Sequence, residues 1–414
     1  LDEAKYPLKR ISEGVFADRT GSRVVFEREP IGERSGKIAG YWLYQEQAMN
    51  FFRRISDAQV PETMWFARRA PTNAPYRFEA SIPPDLKDGL DVGSLEKAEL
   101  NGGLIGTMVE QIANESHKNV DSVLLIKKGK LVVEEYFYQY DRQKLHQLRS
   151  ATKSVVSGLV GIALDKKLIR SKEEPVISFF PEYQIKNLST EKRAITLEHL
   201  LSGQSGLACE DGNAESPGEE QKMNASLDWV RFILDLPMIE PPGRTGRYCS
   251  GGVILLGRIV EKASGQRLAD FAAENLFGKL GITNYRWNFK PDSSSFDDAC
   301  QLELRPRDMA KLGLLYMNEG QWNGKQVISR EWVKTSLSKH SVVRGTDYGY
   351  LWWRQWLNVN GRRMEGVTAK GNGGQRIYLW PSLDLLVVIT GGNYNEQSPS
   401  DELLVKYILP AAMK

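Results

Sequence analysis

Ser150 and Lys153 are the residues of this 414-residue chain whose types and spacing best fit nucleophilic catalysis. They stand three positions apart at the start of a long apolar run. If that run is helical, the spacing places the Lys153 amine on the same face as the Ser150 hydroxyl and within its reach. A serine hydroxyl attacks well only when a neighbouring group takes its proton. The pair therefore predicts a serine nucleophile with Lys153 as candidate base, which requires the pKa of Lys153 to fall towards neutrality.

The same Ser-x-x-Lys spacing occurs at three other places. These are Ser94/Lys97, Ser189/Lys192 and Ser336/Lys339. Only Ser150 opens a long apolar helix, whereas we expect helix caps or solvated helix ends at the others. For Ser150 the competing interpretation is a helix N-cap followed by a surface lysine that extends its charge to solvent.

Tyr248 is the candidate for passing the proton to the leaving atom. It precedes Cys249 and Ser250 in a loop before a predicted helix at residues 251–264, and Ser250 is expected to point the same way. The alternative for Tyr248 is simple packing at the helix entrance.

A glycine-rich stretch at residues 370–375 is the candidate oxyanion site. Gly371, Asn372 and Gly373 precede a predicted strand, and backbone N–H groups at a strand edge can stabilise a developing negative charge. The alternative is a flexible loop with bulge glycines.

The elements around these residues predict an α+β fold. Residues 122–137 form two β-rich runs joined by a turn at Gly129, and the Ser150 helix follows. Residues 166–340 are mostly helical, then strands are predicted at 348–356, 375–380 and 385–390, with a final helix at 401–409 that Pro410 should end. We expect one antiparallel sheet covered by the first and last helices, with a helical region beside it and Ser150 at the boundary cleft.

This pattern divides the chain into three parts. Residues 1–117 form an N-terminal extension packing on the core, 118–165 with 341–414 form the sheet domain, and 166–340 form the helical domain. Within the extension we predict a strand at 24–27, a helix at 41–55, a helix at 94–114 that is interrupted near residues 102–103, and a proline-rich arm. The arm contains Pro61, Pro71, Pro75, Pro83 and Pro84.

The composition excludes several classes of function. Hydrophobic residues make up 41% of the chain, charged residues 26%, and the net charge is +3, so nothing favours nucleic acid or a membrane span. The number of cysteines (Cys209, Cys249 and Cys300) is odd, which argues against a disulfide framework. Neither the cysteines nor the four histidines show metal-ligand spacing, so we predict no cofactor or metal. The chain starts at Leu1, and we slightly favour a periplasmic or secreted location.

Together these motifs resemble the serine β-lactamase and penicillin-binding-protein superfamily, in particular its esterase-like branch of family VIII carboxylesterases and 6-aminohexanoate dimer hydrolases. Ser150 to Lys153 matches the family's S-x-x-K and Tyr248 to Ser250 its Y-x-N/S. Residues 200–207, 305–310 and 371–375 also match, so the resemblance covers about 118–414. It implies a β-lactamase/transpeptidase-like fold, acylation of Ser150, proton transfer by Lys153 and Tyr248, and an oxyanion hole from the N–H groups of Ser150 and near Asn372.

Two departures favour esters or small amides over β-lactams. Ala369-Lys370-Gly371 stands where the family has K-T-G or H-x-G, with Lys370 shifted by one position, and nothing resembles the class A deacylation glutamate. An acidic loop follows the residue 200–207 motif and could select a substrate with an ammonium group, or it could be a solvated loop. Its members are Glu210, Asp211, Glu215, Glu219 and Glu220.

Three alternatives remain from the sequence. One is β-lactamase or D-amino-acid peptidase activity, and another is a non-catalytic binding or sensor module on the same fold. The third is an α/β-hydrolase nucleophile at residues 203–207, which Leu207 disfavours because it stands where G-x-S-x-G requires glycine. The aromatic group Tyr350, Trp352, Trp353 and Trp356 is assigned chiefly to sheet packing, with one or two rings beside the pocket.

Overall fold

A nine-stranded sheet is the centre of the molecule in the computed structural model, which describes residues 8–17, 22–29, 36–45, 48–53, 75–137, 140–289 and 302–413. The strand order is β14-β15-β16-β17-β18-β19-β7-β8-β6, and all pairs except β6 with β8 are antiparallel. Its strands are β6 (Asp91–Val92), β7 (Val120–Lys127), β8 (Lys130–Tyr136), β14 (Ser341–Val343), β15 (Thr346–Tyr348), β16 (Trp353–Val359), β17 (Arg362–Gly371), β18 (Gln375–Trp380) and β19 (Leu385–Gly391).

The other strands form three smaller sheets. An N-terminal antiparallel sheet contains β1 (Lys9–Ser12), β2 (Val15–Ala17), β3 (Arg23–Arg28), β4 (Ile38–Gln45) and β5 (Ala48–Arg53). The remaining two contain β9 (His146–Gln147), β10 (Tyr285–Trp287) and β11 (Leu302–Leu304), and β12 (Gln321–Trp322) and β13 (Lys325–Gln326).

Twelve α-helical segments surround the central sheet within the described residues. They are α1 (Gly102–Ala113), α2 (Thr152–Asp165), α3 (Thr190–Arg193), α4 (Leu197–Leu201), α5 (Glu220–Asn224), α6 (Trp229–Leu234), α7 (Ser250–Ser264), α8 (Leu268–Ala272), α9 (Pro306–Met317), α10 (Arg330–Leu337), α11 (Ser400–Leu403) and α12 (Leu409–Ala412). Short 3-10 or π turns adjoin several of them, including Arg149–Ala151 before α2 and Leu404–Ile408 between α11 and α12.

Each face of the sheet has its own hydrophobic core. Helices α2 and α9 contribute to one core, while α1 and the C-terminal helices contribute to the other. Strands β7 and β19 are buried along their whole length because both of their faces are covered. The α+β architecture with helices on an antiparallel sheet is therefore confirmed. The three-part domain division stays a prediction, although α1, which we placed in the extension, packs with the C-terminal helices.

The predicted hairpin at 122–137 is confirmed as β7 and β8. Lys128 and Gly129 both have positive φ, at 52° and 71°, as a tight two-residue turn requires. The strand predicted at 24–27 lies within β3.

The helix predicted at 41–55 is wrong. Within the described part of that range the chain forms most of β4 and then β5, paired from Gly40 with Arg53 to Gln45 with Ala48. Aromatic residues such as Tyr41, Trp42 and Phe51 pack well on a pleated surface, and this preference outweighs the helical spacing that we inferred. Residues 46–47 and 54–55 lie outside the described residues.

Two helix boundaries also differ from the prediction. The helix predicted from residue 94 begins at Gly102, where the Asn101 side chain accepts hydrogen bonds from two backbone N–H groups. Pro410 does not end the last helix but lies in the first turn of α12, where its missing N–H costs little.

The proline-rich segment is described from residue 75, while Pro61 and Pro71 lie outside the described residues. Arg307 of α9 anchors this segment by donating to the Pro84 carbonyl at 2.8 Å and pairing with Asp88 at 3.2 Å. That the segment forms an arm across the core stays a prediction. In the described part of the chain, no helix has the length and apolar character needed to cross a membrane.

Candidate active site

Ser150 lies in the 3-10 turn that connects β9 to α2. Arg149 just before it has φ of 51°, a left-handed conformation unusual for a non-glycine residue, and this sharply redirects the chain. The Leu148 N–H donates to the Leu302 carbonyl at 2.8 Å, so β11 holds the turn from the other side. Ser150 is half-buried and begins the approach to α2 without capping it, because the N-cap is Ala151 and forms no side-chain cap hydrogen bond.

Lys153 projects back to Ser150, as the spacing predicts. Its Nζ donates to the Ser150 Oγ at 2.9 Å, and the residue is only 9% exposed. Helix α2 is buried on nearly every side, so this amine is not a surface lysine. The alternative of an N-cap with a surface lysine is wrong.

Tyr248 joins the same cluster from the loop before α7. The Lys153 Nζ lies 5.0 Å from the centre of the Tyr248 ring. Trp353 of β16 stacks on this ring with 5.4 Å between centroids, and the Arg344 guanidinium lies 4.9 Å from it. Of the aromatic group, Trp353 is therefore the ring that packs on Tyr248, whereas Tyr350 and Trp352 are buried and Trp356 is 46% exposed.

The charge of Lys153 differs from our prediction. Burial alone would lower the pKa of Lys153, but its interactions with Tyr248, Glu220 and Asp211 outweigh burial and raise that pKa above its ordinary value. Our expectation of a lowered pKa is therefore wrong, because local spacing cannot reveal that Asp211 and Glu220, which are distant in sequence, face this amine.

Ser250 contacts those carboxylates directly. Its backbone N–H and its Oγ both lie within hydrogen-bond distance of Asp211 Oδ2, at 2.9 Å and 2.7 Å, and its Oγ lies 3.0 Å from Glu220 Oε1. Two members of the acidic loop are thus part of the cluster. The sequence identified the loop but not that Asp211, only 6% exposed, turns inwards.

A disulfide joins Cys209 to Cys249, across 40 residues. Our argument from the odd cysteine count against a disulfide framework is corrected here: two of the three cysteines pair, and Cys300 lies outside the described residues. The bond connects the residue next to Tyr248 with the beginning of the acidic loop, so it fixes both partners of the cluster.

The glycine-rich stretch passes directly beside the nucleophile turn. A Cβ on Gly371 would lie 2.1 Å from the Leu148 carbonyl oxygen, so only glycine permits this approach of β17. Gly373 has φ of 88° in the turn to β18. The Asn372 side chain supports that turn, because its Oδ1 accepts from the Gly373 and Asn395 N–H groups. The backbone of this stretch is therefore near Ser150, while the Asn372 amide is engaged elsewhere.

Lys370 is directed away from this cluster. Its Nζ lies 4.0 Å from Asp401 Oδ2 of α11, on the side of the C-terminal helices. The lysine shift noted in the sequence therefore moves the charge to the opposite face of β17, because neighbouring residues of a strand alternate between faces.

The other Ser-x-x-Lys matches have structural roles. Ser94 and Ser189 accept hydrogen bonds from the backbone N–H groups of Lys97 and Lys192. The buried Lys192 amine donates to three carbonyl oxygens, and Ser336 is fully buried and donates to the Val333 carbonyl.

The motif at residues 305–310 builds a buried ion network rather than a site. Arg307 pairs with Glu134 at 2.8 Å, and Asp308 pairs with Arg305 and Lys311 at 2.6 Å and 3.3 Å. This network connects α9 to β8.

Comparison with known proteins identifies the family and similar chains. A family model described as Beta-lactamase matches residues 106–405. The chain is 24% identical over 353 residues to the 6-aminohexanoate-dimer hydrolase of Paenarthrobacter ureafaciens, covering 80% of this chain and 85% of that protein.

Solved structures share the fold at low identity. A family VIII carboxylesterase superposes with a TM-score of 0.60 at 15% identity, over 80% of this chain and 100% of the other. A penicillin-binding protein homologue from Caulobacter crescentus superposes with a TM-score of 0.58 at 16% identity, with the same coverage of both chains.

Proposed function

Since the chain belongs to the Beta-lactamase family, we propose that it is a serine hydrolase that cleaves small carboxylic esters or amides through an acyl-enzyme on Ser150. The observation that carries this proposal is the 2.9 Å contact between the Ser150 hydroxyl and the buried Lys153 amine, beside the Tyr248 ring. Lysines are rarely buried unless their charge is paired, because burying a charge is costly. The buried Lys153 amine contacts the half-exposed Ser150.

The reaction that we propose uses these residues as follows. The Ser150 Oγ forms a bond to the substrate carbonyl carbon while its proton passes to the Lys153–Tyr248 pair. The carbonyl electrons move to oxygen, and backbone N–H groups at the Ser150 turn and near Gly371 stabilise the oxyanion. Collapse expels the alcohol or amine, which takes the proton from the pair, and water then releases the acid by the same steps.

The substrate class follows from the position of Lys370 and from the relatives. Because Lys370 pairs with Asp401 on the far side of β17, it does not supply a cation to grip the carboxylate of a β-lactam. Two of the similar proteins are a 6-aminohexanoate-dimer hydrolase and a family VIII carboxylesterase, although a penicillin-binding protein homologue shares the fold as well. Small esters and amides are therefore the substrates that we propose.

The test is the intact mass of the protein within seconds of mixing with a short-chain p-nitrophenyl ester. We expect an acyl adduct in the wild type that decays as product accumulates, and none in Ser150→Ala. Ser94→Ala, which alters a structural Ser-x-x-Lys match, serves as the matched control and should still acylate. An adduct of equal size in Ser150→Ala would contradict the proposal.

A further inference from the structure

Asp211, Ser250 and Glu220 form a chain of close oxygen contacts that one hydroxyl cannot satisfy. The Ser250 Oγ lies 2.7 Å from Asp211 Oδ2 and 3.0 Å from Glu220 Oε1. A hydroxyl carries one proton and can donate to only one acceptor at a time. If both carboxyl groups were ionised, one of these two contacts would be a repulsion between lone pairs. A second proton shared within the group removes that conflict.

The surroundings of Asp211 favour such a proton. Asp211 and Ser250 are each 6% exposed, and among the described residues no hydrogen-bond donor reaches Asp211 Oδ1. A buried carboxylate with an unsatisfied oxygen is costly to ionise. Burial is the main cause that raises the pKa of Asp211, to about 6. The Glu220 charge raises this pKa further, whereas the Lys153 charge lowers it.

Asp211, Ser250 and Glu220, which we call the acidic group, are held in place by a covalent bond and by hydrogen bonds. The Cys209–Cys249 disulfide tethers the two segments next to Asp211 and Ser250. The Asp211 N–H also donates to the Tyr248 carbonyl at 2.8 Å, and the Arg344 guanidinium donates to the Asp211 carbonyl. Its position is therefore determined by the loop, by α7 and by the turn between β14 and β15.

Several charged or titratable groups face Asp211. Lys153 comes from α2, Glu220 from α5, Tyr248 from the loop before α7, Arg344 from the β14–β15 turn and Tyr348 from β15. Lys153 is the one cation among them that also touches the nucleophile. The number of protons on the acidic group therefore sets the field at the amine that contacts Ser150.

We propose that Asp211 and Glu220 share one proton through Ser250 and act as positioning residues that set the charge of the Lys153 amine. This inference rests on the proposed hydrolase function for its kinetic consequence only. The shared proton exchanges with solvent, and no bond to substrate is formed by either carboxyl group.

The first test does not depend on activity. In infrared difference spectra of the whole protein between pH 8 and pH 5, we expect a protonated-carboxyl carbonyl band from a buried group, appearing with a midpoint near pH 6. Asp211→Asn should abolish it, and Glu220→Gln should shift its midpoint to lower pH, because removal of a like charge lowers the pKa of Asp211. Glu215→Gln, an exposed member of the same loop, is the matched control and should leave the band unchanged.

A buried-carboxyl band that persists unchanged in both Asp211→Asn and Glu220→Gln would overturn the proposal, as would its absence from the wild type. Glu220 is half-exposed, so Glu220→Gln should fold even if Asp211→Asn does not. If the band behaves as expected but no ester or amide is hydrolysed, the proton sharing stands and the proposed function fails instead.

The second test uses the pH profile of kcat/KM. Above about pH 6, where the shared proton has been lost, each of Glu220→Gln and Asp211→Asn removes one negative charge next to Lys153 and favours the neutral amine. The limb that rises with pH should therefore move to lower pH by roughly one to three units. A purely structural role would lower kcat/KM equally at every pH and leave the limb in place. An unmoved limb would therefore contradict the positioning role.

Discussion

At the scale of single residues, the charge of Lys153 decides how the site can work. The amine is buried, yet its interactions with Tyr248, Glu220 and Asp211 raise its pKa. The resting amine is thus protonated at neutral pH. The Lys153–Tyr248 pair must lose a proton before it can accept the one from Ser150, so activity should rise with pH.

Replacing either member of this pair should lower kcat strongly. We expect Lys153→Ala and Tyr248→Phe each to reduce kcat by roughly 10²- to 10⁴-fold, because that is what positioned acid–base groups contribute. KM should change much less, since neither group is expected to bind the substrate uniformly in ground state and transition state. Steady-state kinetics with a p-nitrophenyl ester measure both constants.

The matched control is Lys97→Ala, which removes the exposed lysine of another Ser-x-x-Lys match. It should retain wild-type kcat. A Lys153→Ala variant with wild-type kcat would show that the 2.9 Å contact has no catalytic part, and the proposed mechanism would have to be abandoned.

At the scale of elements, local patterns predicted what local residues determine. The β7–β8 hairpin follows from its turn residues, and β18 spans Gln375–Trp380 as predicted, because its apolar run is bounded by glycines and Pro381. The pairing of Ser150 with Lys153 also follows from a spacing within one helical turn.

Long-range contacts could not be predicted in this way. Asp211 contacts Ser250, which lies 39 positions away in the sequence. Arg344 packs on Tyr248, which is even more distant in the sequence. Strand β17 was missed because charged residues occupy its exposed half, and apolar alternation is absent there. The disulfide depends on the same loop geometry, which no spacing of cysteines specifies.

The disulfide gives a prediction at this scale. Titration of thiols in the unfolded, unreduced protein should find one of the three cysteines free, and all three after reduction. The double variant Cys209→Ala/Cys249→Ala should lower the free energy of unfolding by about 3 to 5 kcal/mol, because the bond closes a loop in the unfolded chain. Urea unfolding measures the change.

Cys300→Ser supplies the control for the thiol count, because it should remove the single free thiol and leave the disulfide intact. Three free thiols in the unreduced protein would show that the bond does not form.

At the scale of the whole molecule, a buried ion network holds the parts together. Arg307 of α9 contacts Glu134 of β8, Asp88 and the Pro84 carbonyl, and it is only 2% exposed. This one side chain therefore connects the helical region, the sheet and the proline-rich arm. The Glu134 side chain is 1% exposed, and without Arg307 its buried charge would keep only Arg142 and Tyr136 as partners.

Arg307→Ala should therefore lower the free energy of unfolding by at most about 3 to 5 kcal/mol, the usual cost of leaving one partner of a buried ion pair uncompensated, because Arg142 and Tyr136 still donate to Glu134. Urea is the appropriate denaturant because, unlike a guanidinium salt, it does not screen ion pairs. Arg267→Ala is the matched control, since Arg267 makes a two-bond pair with Asp270 on the exposed surface and its loss should change stability little.

The acid side of the stability profile tests the same network independently. Burial would raise the pKa of Glu134, but hydrogen bonds from Arg307, Arg142 and Tyr136 outweigh it and lower that pKa below its ordinary value. Ionised Glu134 thus stabilises the fold above the ordinary carboxyl range, and this contribution is lost as the pH falls through the lowered pKa. In Arg307→Ala the pKa of Glu134 should rise, so stability should begin to fall at a higher pH than in the wild type. If the free energy of unfolding fell over the same pH range in both proteins, the Arg307–Glu134 pair would not stabilise the packing of α9 on the sheet.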